Sequence, residues 1–154
     1  MLTVVELLRV LLISAVTIIS TSLIFYEIMY LAWAKIGHLK ASHRIKIFIL
    51  VITIFAAHTF CVWFYGFVYY AMHNLGLGSV TFTDRAETMT NIADFIYFSS
   101  ITYSSLGYDN ILAHKEIQFL TGVEVLNGLV LIAWSASYTY IMMEKFWDIR
   151  KKGK

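Results

Sequence analysis

Residues 92–104, IADFIYFSSITYS, form a run of 13 mostly apolar and aromatic positions. A helix of that length does not cross a hydrocarbon layer, which takes roughly 20 residues. The pattern therefore predicts a short buried or re-entrant helix, with Thr90 or Asn91 capping its amino end and Asp94 complementing the helix dipole in its first turn. The segment that follows, Ser105-Leu106-Gly107-Tyr108-Asp109-Asn110, leaves the helix and frees backbone groups. Lipid does not satisfy such groups, so the segment is expected to end in protein or along a water-filled path.

On either side lie stretches long enough to span. Residues 10–34 carry one charge, Glu27, over 25 positions; residues 47–72 contain no formal charge; residues 117–143 are apolar apart from Glu124. Composition agrees, with 59% hydrophobic and 14% charged residues in 154, and a mean hydropathy of +0.70. Such a chain in water would expose far more apolar surface than its charges keep soluble, which excludes an ordinary soluble domain. Zero prolines and eight glycines favour long helices over loop-rich all-β folds. A single cysteine, Cys61, precludes an intrachain disulfide, and a formal charge of +2 leaves no nucleic-acid footprint. No small-x-small cleavage site closes the first apolar stretch, so an uncleaved helix is expected.

Charge sets the orientation. Lys35, Lys40, Arg44 and Lys46 lie between the first two spans, and Lys145, Arg150, Lys151, Lys152 and Lys154 follow the third. Between spans two and three Asp84, Glu87, Asp94, Asp109 and Glu116 stand against only Arg85 and Lys115. Basic residues near span ends stay in the cytoplasm, so the carboxyl terminus is expected inside, the amino terminus outside, and the short helix entering from outside a plasma (cell inner) membrane. The carboxyl end of that helix would then favour a cation below it.

The stretch from Tyr97 to Asn110, YFSSITYSSLGYDN, resembles the pore helix and selectivity filter of the potassium-channel superfamily, whose signature is T-V-G-Y-G followed by Asp. The resemblance spans roughly residues 85–150. It implies a filter of Ser105, Leu106, Gly107, Tyr108 and Asp109 whose oxygens replace the hydration shell of permeant K⁺ or Na⁺. Tyr97 and Phe98 stand where that family places paired aromatics that brace the filter, Thr102 lies on the same helix, and Gly128, 21 residues after Gly107, falls at the inner-helix glycine. Gly128 reads either as that hinge or as a close-packing glycine. One chain supplies one pore helix where the family uses four, so the resemblance implies a homotetramer in contact with membrane lipids.

Two positions depart from the family pattern. Ser105 replaces the filter threonine and keeps a hydroxyl; Asp109 replaces the second filter glycine, with Asn110 following. Four Asp109 carboxylates would concentrate cations at the outer mouth and offer hard oxygen ligands to Ca²⁺ or Ba²⁺. Glu124, about seven residues into the third span, is expected to hydrogen-bond behind the filter or to the pore helix, and Glu27 to pair with the basic loop or snorkel. His43, His58 and His73 recur every 15 residues, but the other spans hold no partner imidazole for a haem, and His58 is expected to be packed. No nucleophile–base pair or phosphate-binding glycine loop points to an enzyme, a cofactor or a small-molecule substrate.

The expected protein is thus an all-α membrane protein assembling as a tetramer. Its first transmembrane helix occupies 1–36, a cytoplasmic basic loop 37–46, an outer pore-domain helix 47–73, an extracellular turret 74–91, the re-entrant pore helix 92–104 and the filter 105–110. The inner helix follows at 117–147 and a cytoplasmic basic tail at 148–154. The expected function is passive conduction of K⁺ or monovalent cations; the alternative is a non-conducting or heteromeric accessory subunit that retains the fold.

Overall fold

In a computed structural model, residues 3–84, 87–107 and 110–152 are described. Three long helices dominate: α1 (Val4–His38), α2 (His43–Asn74) and α4 (Glu116–Lys152), with the short α3 (Ile92–Tyr103) between the last two. At 1.5 Å rise per residue, each long helix reaches about 50 Å and outruns a hydrocarbon core of about 30 Å. All three are long and apolar enough to cross a membrane.

The ends follow from local chemistry. Thr3 and Glu6 close a capping box at the start of α1, the Glu6 N–H donating to Thr3 Oγ1 and the Thr3 N–H to Glu6 Oε2. Asn91 caps α3, its side-chain oxygen accepting from the Ala93 N–H at 3.2 Å. Helix α1 buries one stripe, Val10, Ser14, Thr17, Thr21, Phe25, Met29, Ala32 and Ile36, at the three-and-four spacing of a helix face. That stripe packs on α2 and α4.

The all-α expectation needs correction, because the segment expected as a turret, 74–91, contains strands. Strands β1 (Gly78–Phe82), β2 (Glu87–Thr88) and β3 (Ile111–Lys115) form an antiparallel sheet in the order β2-β1-β3. Ser79 pairs with His114, Val80 with Ala113 and Thr81 with Leu112. The segment after α2 thus pairs with the segment leading into α4, because the short, partly apolar SVTF and ILAHK runs find each other only in three dimensions. Val80 and Ile111 turn into a core with Tyr69, Phe95, Phe98, Ile117 and Leu120. At Lys115 the backbone turns at φ +56° and α4 begins.

Candidate functional site

Helix α3 ends in a defined cap. The Leu106 N–H donates to the Ile101 carbonyl at 3.1 Å and the Ser105 N–H to the Thr102 carbonyl at 2.9 Å, while Ser105 takes φ +55°. Those two bonds and that left-handed residue make a Schellman motif. Helix α2 ends the same way, with Gly76 at φ +71° in the left-handed place. At the end of α3 the place falls to Ser105, a residue with a side chain, and sequence reading gave no warning of it. Gly107 follows at φ +68°, and Leu106 between them is 80% exposed. The expected filter residues Tyr108 and Asp109 lie outside the described residues.

A cavity of about 230 Å³ opens beside this turn, lined among others by Phe98, Thr102, Ser105, Gly107 and Thr121. Phe98 is buried and meets the Tyr69 ring edge-on at 5.1 Å, whereas its neighbour Tyr97 is exposed on another face of α3. The two aromatics expected as a bracing pair therefore face different surroundings within one chain. Thr102 is buried. Gly128 lies in unbroken helix against the last turn of α3: a Cβ there would run into the Tyr103 carbonyl. Close approach thus accounts for a glycine at this place.

Behind α3 two polar networks cross the helices. In the first, Ser99 donates to the Val62 carbonyl at 2.8 Å, Ser99 Oγ lies 2.5 Å from Glu124 Oε1, and the Tyr69 hydroxyl donates to Glu124 Oε2 at 2.5 Å. One turn further along α4, Asn127 Nδ2 donates to Thr21 Oγ1 at 3.0 Å and to the Tyr65 hydroxyl at 3.1 Å. In the second network His58 joins Tyr103 at 2.9 Å through Nδ1 and Ser135 at 3.1 Å through Nε2. Sequence reading singled out Glu124 and a bond from it to the short helix without naming Ser99 as the partner, and it assigned no role here to Asn127, Tyr65, Tyr69 or Tyr103. Each is a common residue, marked only by the neighbour that folding brings to it. Of the two expectations for Glu27, pairing with the basic loop or snorkelling, the first is not met: Glu27 lies exposed and forms no salt bridge with a described residue. In that loop Lys46 instead donates to the Gly37 carbonyl at 3.1 Å.

Two long apolar helices flanking a short helix and a polar turn are what a family described as ion channel matches, over residues 47–145. The chain belongs to this ion-channel family, within the potassium-channel superfamily. It is an integral membrane channel and not an enzyme. Helix α1 lies before the matched region. Neither curated proteins nor solved structures show a significant match to the chain.

Proposed function

We propose that four copies of the chain surround a central axis and conduct K⁺ or other monovalent cations past Ser105, Leu106, Gly107, Tyr108 and Asp109. In this reading α3 is the re-entrant pore helix, α2 the outer helix and α4 the inner helix. One observation carries it: within the channel-matched region, α3 ends in a turn with left-handed backbone at Ser105 and again at Gly107, the glycine of the Gly-Tyr pair. In an extended run successive carbonyls point to opposite sides; left-handed residues alternating with right-handed ones turn them to one side, and a filter needs carbonyls aimed at one line. Ser105 adds a hydroxyl at the inner end, and four Asp109 carboxylates would gather cations, Ca²⁺ or Ba²⁺ included, at the outer end. Tyr97, Phe98, Thr102 and Glu124 support the filter from α3 and α4, and Gly128 lets the inner helix approach.

The test is flux from liposomes holding the purified protein, under opposed K⁺ and Na⁺ gradients, beside a measurement of subunit number in detergent. A tetramer that passes K⁺ faster than Na⁺ is expected. A folded protein without flux would return the chain to the accessory-subunit reading, and a dimer would remove the fourfold axis.

A further inference from the structure

The side chain of Glu124 meets more oxygen contacts than its neighbours have hydrogens to fill. Three short contacts converge: Tyr69 Oη to Glu124 Oε2 at 2.5 Å, Ser99 Oγ to Glu124 Oε1 at 2.5 Å, and Ser99 Oγ to the Val62 carbonyl at 2.8 Å. Each contact needs one proton, since two oxygens at hydrogen-bond distance with none between them repel. Tyr69 supplies the first. The Val62 carbonyl only accepts, so its contact takes the single hydrogen of Ser99. The contact between Ser99 and Oε1 then has no proton unless the carboxyl brings it. Glu124 is 0% exposed, and no Lys, Arg or His among the described residues pairs with it. An ionised carboxylate buried without a cation is costly, which removes the charged alternative.

We infer that Glu124 is an un-ionised carboxylic acid that donates its proton to Ser99 and accepts from Tyr69, making it a positioning residue for the filter. The donor chain then runs in one sense, from Glu124 on α4 through Ser99 on α3 to the Val62 carbonyl on α2. It ties the middle of the pore helix to both flanking helices six residues before Ser105. Ionisation would turn the Ser99 hydrogen toward the carboxylate and leave Val62 without its cross-link, freeing α3 from α2. The effect on ion selection rests on conduction past Ser105–Gly107, as proposed above; the protonation does not.

Infrared spectroscopy of the full-length protein at neutral pH reads the proton directly. The carbonyl band of a protonated carboxylic acid is expected in the wild-type protein and should vanish in Glu124→Gln; its absence from folded wild-type protein overturns the inference, whether or not the protein conducts. Flux reads the positioning role. Gln places an N–H donor and a carbonyl acceptor where the acid had its own, so Glu124→Gln should keep the K⁺/Na⁺ flux ratio within about twofold, while Glu124→Ala should lower it about tenfold. A loss in Glu124→Gln as large as in Glu124→Ala overturns the role. If the variants do not fold, the wild-type band still decides, and if the wild type passes no ions, the function fails while the protonation stands or falls on that band.

Discussion

At φ +68° Gly107 holds a backbone shape that strains any residue with a Cβ, yet among the described residues no heavy atom beyond its chain neighbours lies within 4 Å of where that Cβ would stand. Strain and crowding are therefore separable here. Gly107→Ala should cost only about 1 kcal/mol of folding stability through the left-handed backbone, leaving an assembled protein. Flux should nonetheless fall to the background of empty vesicles, because relief of the strain turns the carbonyl away from the ion path. Normal flux in that variant would place the path elsewhere. In the proposed tetramer Asp109 offers a charge test at the outer mouth. Attraction by four carboxylates weakens as the Debye length shrinks to about 10 Å at 0.1 M salt, so Asp109→Asn should reduce conductance chiefly in dilute salt and relieve block by external Ca²⁺. Unchanged low-salt conductance and unchanged block would mean that Asp109 does not face the path.

Among the elements, the three long helices were legible because nothing competes with a run of 25 apolar residues: length alone decides it. Helix α3 was legible for a related reason, since Asn91, Asp94 and the apolar run agree on one start. The sheet was not. Strands β1 and β3 are five residues each and lie 28 residues apart between Phe82 and Ile111, with α3 intervening, so their pairing belongs to the fold and not to either segment. The same holds for the site. Gly107 stood out as a residue type, whereas Ser99, Tyr69 and Asn127 gain meaning only from the partners across the helices. Pairing of Ser79 with His114 makes the sheet testable. Opposed residues of an antiparallel pair lie about 4.5–5.5 Å apart at Cα, within the span of a disulfide. With Cys61 replaced by Ala, Ser79→Cys with His114→Cys should therefore form an intrachain cross-link on mild oxidation, visible as a reducible mobility shift. Ser79→Cys with Leu112→Cys, out of register, should cross-link far less, and equal yields would dissolve the sheet.

For the whole molecule, contacts between the first and last helices fix which ends lie together. Arg9 near the start of α1 pairs with Glu116 at the start of α4; Glu116 is 2% exposed and the Arg9 side chain 44%. Near the other end the Tyr138 hydroxyl donates to the Met29 carbonyl at 2.8 Å, and Lys145 Nζ sits 4.2 Å from the centre of the Trp33 ring. Helix α1, outside the channel-matched region, is thus fastened to α4 near both ends and through Asn127 in the middle. Its fastening places the start of α1, the sheet and the start of α4 at one end of the bundle. The α1–α2 connection lies at the other, together with Lys35, Lys40, Arg44, Lys46 and Lys145. Basic residues at span ends are held in the cytoplasm, so the sheet should face outward. Ser42 and Thr83 are exposed at the two ends, and Ser42 makes no side-chain capping bond that a cysteine would lose. In a Cys61→Ala background, a membrane-impermeant thiol reagent applied to intact cells should modify Thr83→Cys, and modify Ser42→Cys only after permeabilisation. The reverse pattern would invert the orientation while keeping the bundle. Labelling of both from one side would contradict α2 as a spanning helix, and with it the entry of α3 between two spans on which the ion path depends.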